Sequence, residues 1–203
     1  MTNDIFQKFK DIILNPVETF KNSRDETLGT AFLYFLVIIA VYSVLSGIVS
    51  MMFFSIFTLF MPGMDALLAA ETSVITGVVS IVFGFIASII ALIFGSVILH
   101  IFVYILGGRK GIEQTIKASI YSCTPLALFG WIPFIGIIAI IWSYILNALA
   151  IRELHEISTA RAVLAVLIPL IILIVLVGVA LIAFLTVVSS SDAFIVEKTL
   201  VYE

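Results

Sequence analysis

Long apolar runs alternate with short polar breaks along this chain. Five runs of mostly aliphatic and aromatic residues occupy 29–61, 72–106, 114–130, 133–151 and 162–188. About 20 apolar residues cross the roughly 30 Å hydrocarbon layer of a bilayer as a helix, so this pattern predicts five membrane-spanning helices. The expected fold class is an all-α, polytopic helical bundle, with an N-terminal segment at 1–28, a transmembrane domain at 29–188 and a tail at 189–203.

The composition supports a membrane environment. Hydrophobic residues make up 63% of the 203 residues, charged residues make up 11%, and the mean hydropathy is +1.29. Soluble domains have roughly 45–50% apolar and about 25% charged residues. The single cysteine excludes an internal disulfide and is too few for a structural zinc site.

The lysines and arginines predict the direction of insertion, because basic residues near span ends stay on the cytoplasmic side. In a five-span arrangement, nine of the ten lie on one side and only Lys198 lies on the other. We therefore expect a cytoplasmic N-terminus and an extracytoplasmic C-terminus. One alternative stays open: the pair 114–130 and 133–151 could form a re-entrant hairpin, because both ends of the pair are cytoplasmic in either case.

The segment before the first span has the pattern of a helix lying in the membrane interface. Apolar residues recur there at helical spacing among charged ones, at Ile5, Phe6, Phe9, Ile12 and Ile13. A second short helix is predicted at "NPVETF", with Asn15 as its cap and Pro16 at its first position. This segment is either a membrane-surface or partner-docking arm, or a lead-in that packs beneath the bundle. The tail after residue 188 alternates like a strand but is too short to form a sheet alone, so we assign it no structure.

Small residues in span two predict a helix-packing face, because they let helix backbones approach closely in lipid. This face comprises Ser80, Gly84, Ser88 and Gly95; the first three repeat every four residues, and Gly95 belongs to an adjacent row with Ala87 and Ala91. Span one has the same spacing at Ser43 and Gly47. The alternative to packing is that the serines line a polar conduit.

Ionisable groups deep in a membrane usually mark a functional site, and His100 is the candidate in this chain. We expect it to hydrogen-bond a neighbouring helix; a thiol–imidazole pair with Cys123 is geometrically possible but has no orienting carboxylate nearby in sequence. The segment "ELHEIS" lacks the second histidine of a zinc-protease helix. We therefore expect no catalytic, cofactor-binding or metal-binding residue and no nucleic-acid partner.

A glycine-rich, basic segment follows span two. It is not a phosphate-binding P-loop, because Lys110 precedes Gly111, and an apolar helix leads into it where a P-loop follows a strand. Instead it predicts a glycine cap on span two and a cytoplasmic loop that fixes the topology and offers an interaction surface. The residues of this predicted loop are Gly107, Gly108, Arg109, Lys110 and Lys117. Beyond it, Pro125 is expected to kink the next helix or to need the hydroxyls of Ser122 and Thr124 for the backbone groups that it frees.

Residues 104–169 resemble the Yip/YIPF (Ypt-interacting protein) family of five-span membrane proteins. The likeness is carried by the apolar helix that runs into Gly107-Gly108, by "QTIKASIYSCTP", by Gly136 with Trp142, and by "RELHEIS" leading to Pro169. The entry "NPVETF" is similar to prokaryotic members. The resemblance implies a small, non-enzymatic protein of five spans; eukaryotic members act in vesicle trafficking and associate with Rab-type GTPases and with one another. Those members carry a longer cytoplasmic N-terminal region, so a GTPase contact is not carried over.

Two functional hypotheses follow. The first is a non-enzymatic membrane-organising, adaptor or trafficking-related scaffold in the plasma membrane of a prokaryote. Its partners would be the lipid bilayer and other membrane proteins, or a second copy of the chain. The second is a transporter or channel for small solutes or ions, with a pathway near span two and His100.

Overall fold

The computed structural model describes residues 2–58, 60 and 66–201, and side chains within 5–58, 60 and 70–188. All the regular elements in these ranges are helical, which confirms the all-α, polytopic bundle. In chain order they are α1 (Thr2–Leu14), α2 (Pro16–Asn22), α3 (Leu28–Thr58), α4 (Ala66–Ile105), α5 (Ile112–Ser122), α6 (Thr124–Phe129), α7 (Ile135–His155) and α8 (Thr159–Val201). The expected interfacial turn at Pro62-Gly63 lies outside the described residues.

Four of the five predicted spans are single helices. Four helical segments are long and apolar enough to cross a membrane: Leu28–Thr58, Ala70–Ile105, Ile135–His155 and Thr159–Val188. The segment predicted as the third span is divided between the two shorter helices α5 and α6, which meet at Cys123.

Pro125 accounts for the division between α5 and α6, because it has no N–H to continue the helix. The hydroxyl of Thr124 donates instead to the carbonyl of Tyr121, at 2.7 Å. One residue further on, the Leu126 N–H donates to Ser143 Oγ in α7, at 3.2 Å. Side chains thus satisfy backbone groups that a continuous helix would have paired, as they must where water is excluded.

Helices α3 and α4 approach each other closely at two glycines. A Cβ at Gly47 would lie 2.9 Å from the carbonyl oxygen of Gly77 and would overlap the Ile81 side chain. A Cβ at Gly77 would overlap the Met51 side chain. Since real Cβ atoms do not tolerate such distances, both positions need glycine for this approach.

The N-terminal helices pack on the bundle. Ile12 and Phe20 are fully buried, whereas Phe6 is 68% exposed. The Asn15 side chain makes no capping hydrogen bond, although Pro16 does lie in the first turn of α2. The contacts of Ile12 and Phe20 favour the lead-in interpretation, and Phe6 leaves one apolar position facing outward.

The structure divides into two compact units after Val166. The first contains the helix contacts described above. The second begins at Leu167 and consists of the remainder of α8, which includes Pro169 and continues as helix to Val201. The backbone of the tail to which we assigned no structure is therefore helical up to that residue.

Candidate functional site: a polar layer where four segments meet

Buried and half-buried polar and charged side chains collect where four segments meet: α1, the connection between α2 and α3, α5, and the end of α7. We call this set the polar layer. It comprises Lys8, Arg24, Glu26, Thr115, Lys117, Tyr121, Glu153 and His155.

Lys117 is the most buried charge of the layer. Its side chain is 1% exposed, and its ammonium donates to the carbonyls of Arg24, at 2.7 Å, and Glu26, at 2.9 Å. The Glu113 carboxylate lies 3.9 Å away. The sequence analysis grouped Lys117 with the glycine-rich cytoplasmic loop, and in the structure its side chain is buried within α5. It fastens α5 to the chain segment that enters α3.

Glu26 joins α1 to α5. Its carboxylate forms an ion pair with Lys8, and it accepts a hydrogen bond of 2.5 Å from the Tyr121 hydroxyl. The Lys8 ammonium also lies 4.3 Å from the centre of the Tyr121 ring. Burial lowers the pKa of Lys8, and the adjacent Glu26 opposes that change. These contacts fix the N-terminal helix against the bundle.

Two histidines share the hydroxyl of Thr115 in α5. Thr115 Oγ1 lies 2.7 Å from His100 Nδ1 and 2.9 Å from His155 Nε2. His100 thus hydrogen-bonds a neighbouring helix, in the way expected of it. His155 is 3% exposed, and its Nδ1 atom has no hydrogen-bond partner among the described residues. A single hydroxyl proton can serve only one of the two ring nitrogens, so the other nitrogen must donate to the oxygen.

Glu156 forms the exposed rim of the layer. Its carboxylate pairs with Arg24 Nη1 at 2.8 Å and with Lys110 Nζ at 2.5 Å. The hydrogen bond and positive charge of Lys110 lower the pKa of Glu156. The residue has a φ of 55°, the left-handed conformation that ends α7. Arg24 reaches further, and its Nε donates to the carbonyl of Glu153 at 2.9 Å.

The loop after α4 is shaped by its glycines. Gly107 has a φ of 99°, which favours glycine, and its N–H donates to the carbonyl of Tyr104 at 3.2 Å. The N–H of Gly108 donates to the carbonyl of Val103 at 2.8 Å. These bonds satisfy carbonyls left open at the helix end. Arg109 is exposed, and its guanidinium lies 3.6 Å from the centre of the Tyr104 ring.

The sequence matches the Yip1 domain over residues 10–182. The match begins in α1, ends in α8 and contains the glycine loop and nearly all of the polar layer. This chain belongs to the Yip1 domain family. The resemblance inferred from the sequence is thereby confirmed, and the protein is a multi-pass membrane protein of that family. Searches of curated proteins and of solved structures gave no match.

Only part of the predicted helix-packing face of this Yip1 domain contacts another helix among the described residues. A Cβ at Gly84 would lie 3.9 Å from Ser43 Oγ, so this part of α4 faces α3. Ser80 and Ser88 are half-buried, and the Ser88 hydroxyl donates to the carbonyl of Gly84 at 2.7 Å. Gly95 differs: it is exposed, and a Cβ there would meet nothing within 4 Å among the described residues.

The possible thiol–imidazole pair is not assembled. Cys123 Sγ donates to the carbonyl of Ile120 at 3.0 Å, whereas His100 bonds to Thr115. The described part of the Yip1 domain contains no group of three histidine, cysteine or acidic residues placed to hold a metal ion.

Of the polar layer, sequence reasoning named only Lys117 as a site residue, and Glu26, Thr115 and Tyr121 are among the members that it missed. Thr115 and Tyr121 lie in the stretch "QTIKASIYSCTP" that carries the family resemblance, but that stretch does not indicate what their side chains contact, and Glu26 belongs to no motif. The available signal was Lys117 itself, because a lysine within an otherwise apolar helix must find oxygen atoms to replace its water.

Proposed function

We propose that this Yip1-domain protein is a non-enzymatic membrane-organising or adaptor protein that acts through lateral helix contacts and through its cytoplasmic face. The observation that carries the proposal is the exposed row of small residues on α4, namely Ala87, Ala91 and Gly95. In lipid, small residues at this spacing allow another helix to approach, and the chain leaves this row open.

The proposal includes an orientation and a location. The N-terminal segment 1–28 and the loop after α4 would lie in the cytoplasm, the domain 29–188 in the plasma membrane of a prokaryote, and the tail 189–203 outside. The arrangement of basic residues supports this orientation. The rim of charged residues around Glu156 would then be presented to cytoplasmic partners.

A substitution at Gly95 tests the lateral contact. Gly95→Leu fills the open row and should reduce chemical crosslinking of the protein to its neighbours in native membranes by at least about fivefold. Gly178→Leu is the matched control, because a Cβ at Gly178 also meets nothing within 4 Å and the residue lies on a different helix. Equal crosslinking of both variants and the unchanged protein would overturn the lateral-contact proposal.

The loop after α4 is the proposed partner surface on the cytoplasmic side. Charge reversal at Arg109 and Lys110, both exposed, should reduce the amount of partner protein recovered with the chain after crosslinking. The unfolding midpoint should stay that of the unchanged protein. Lys10→Glu with Lys21→Glu, at exposed positions of α1 and α2, serves as the control because it changes the net charge by the same amount. Unchanged recovery after the double reversal would refute this surface.

A transporter or channel remains the competing class, and His100 is the residue that separates the two. Its ring is held by Thr115, which suits a packing role within the bundle. A liposome flux assay over a panel of ions and small solutes should detect no movement. If solutes do move and the movement is lost in His100→Ala, the proposal of a membrane-organising or adaptor protein is overturned.

A further inference from the structure

Among the described residues of the first unit, Lys10 and two arginines are the basic residues without a carboxylate within 4.0 Å. Several basic side chains each lie within 4.0 Å of a carboxylate: Lys8, Lys21, Arg24, Lys110, Lys117 and Arg152. Arg109 and Arg161 have no such partner among the residues that the structure describes. Both side chains are exposed. Their positive charges are therefore not balanced within the described chain.

Both arginines lie at the edge of a candidate membrane span. The span in α4 ends at Ile105, four residues before Arg109, and the span in α8 begins at Thr159, two residues before Arg161. Arg161 therefore lies inside its span by two residues, or about 3 Å of helix rise, and Arg109 lies in the loop just beyond the end of the other span. In a bilayer that contains these two spans, both guanidinium groups would lie near the lipid headgroups.

Gly107 brings the two arginines to the same loop. The Nη1 atom of Arg161 lies 3.2 Å from the position that a Cβ at Gly107 would occupy, so the missing side chain gives this guanidinium its place. Arg109 follows two residues later and is held by stacking on Tyr104. The backbone N–H groups of Arg109, Lys110 and Gly111 donate to no described backbone carbonyl. The loop thus has main-chain donors of its own and two arginine side chains beside it.

We propose that Arg109, Arg161 and the backbone of the Gly107 loop bind the phosphate group of an anionic phospholipid. A guanidinium presents two parallel N–H donors that match two oxygens of a phosphate, and it is less strongly hydrated than an ammonium. Stacking on Tyr104 reduces the conformational freedom that Arg109 would lose on binding. The adjacent Lys110 does not supply the site, because its ammonium is already paired with Glu156.

The test uses the purified full chain in neutral detergent, with phosphatidylglycerol or phosphatidylcholine added and retained lipid counted by native mass spectrometry. The unchanged protein should retain phosphatidylglycerol in preference to phosphatidylcholine. A basic group near the membrane surface contributes about fivefold in affinity. The double variant Arg109→Gln with Arg161→Gln should therefore weaken phosphatidylglycerol binding by about 25-fold. The double variant Arg109→Lys with Arg161→Lys should weaken it by a smaller factor, because lysine keeps the charge but lacks the two parallel N–H donors of a guanidinium.

The matched control removes two exposed basic residues elsewhere, by Lys10→Gln with Lys21→Gln, and should retain phosphatidylglycerol like the unchanged protein. Equal weakening by both double variants would mean general charge attraction and would overturn the site. If inorganic phosphate protects the protein against thermal unfolding as effectively as phosphatidylglycerol does, the proposal that a lipid is the ligand is overturned. The variant with both Arg109→Lys and Arg161→Lys should unfold at the same temperature as the unchanged protein when phosphatidylcholine is the added lipid. If this folded variant retains as much phosphatidylglycerol as the unchanged protein, recognition of the phosphate by the guanidinium groups is overturned.

Discussion

At the scale of single residues, the chain stabilises a buried lysine with backbone oxygens. The ammonium of Lys117 loses nearly all of its water, and carbonyls of the segment before α3 replace it. An isolated buried charge would cost several kcal/mol, about as much as a small domain can lose without unfolding. The carbonyls gain as well, because this connection lies outside helices and needs donors for them.

Replacing this lysine should therefore destabilise the bundle. In Lys117→Met, the carbonyls of Arg24 and Glu26 lose their donor, and the free energy of unfolding should fall by about 2–4 kcal/mol. Thermal unfolding in detergent measures the effect. Lys110→Met is the control, because that side chain is 50% exposed and its pair should contribute less than about 1 kcal/mol. Equal midpoints for the two variants would contradict the fastening role of Lys117.

The hydroxyl shared by His100 and His155 should also contribute to stability. Thr115→Val keeps the shape of the side chain but leaves two ring nitrogens without their partner, so we expect a loss of about 1–3 kcal/mol. Thr115→Ser keeps the hydroxyl and should lose much less. Unfolding midpoints in the same detergent compare them, and a serine variant as unstable as the valine variant would show that the methyl group matters instead.

At the scale of the helices, the sequence predicts the elements whose signal is local. Four apolar runs became single helices because length and hydropathy alone decide such spans. The break at Cys123 depends on Pro125 and on Ser143, which accepts from the freed Leu126 N–H across a helix contact. The polar layer depends on residues far apart in sequence, such as Glu26 and Tyr121. No spacing rule along one helix can indicate that pairing.

The contact between α3 and α4 gives a prediction for this scale. Gly47→Ala places a methyl group against the Gly77 carbonyl and the Ile81 side chain, and should destabilise the bundle by about 1–3 kcal/mol. Gly95→Ala should change stability by no more than about 0.5 kcal/mol in monomeric, detergent-solubilised protein, since its Cβ meets nothing within 4 Å. Unfolding midpoints of both variants decide; a larger effect at Gly95 would mean that the close approach lies elsewhere.

The end of α7 should respond to acid. Lys110 lowers the pKa of Glu156 below its ordinary value of 4.5 in the folded protein. The unfolded chain therefore binds this proton first as pH falls, and the stabilisation that is present above pH 4.5 is lost as pH drops through the lowered pKa. The unfolding midpoint of the unchanged protein should approach that of Glu156→Gln between about pH 6 and pH 3. A difference that stays constant over this range would contradict the assignment.

At the scale of the whole molecule, the predicted crossing of residues 114–151 gives the sharpest test of topology. In a Cys123→Ala background, cysteines at positions 110 and 131 should be labelled from opposite sides of sealed membranes, because α5 and α6 together would cross before α7 returns. Cysteine at position 21 should be labelled from the same side as position 110. Labelling of position 131 from that side would establish the re-entrant hairpin.

The divided third segment also has a consequence for how the protein is made. Helix α5 carries Glu113 and Lys117, and its buried lysine depends on carbonyls of the segment before α3. Next to it, α6 lends the Leu126 N–H to Ser143 of α7. Neither short helix can satisfy its polar groups alone in lipid. The insertion machinery would therefore have to hold this segment until α7 has been synthesised and release the three helices into the bilayer together.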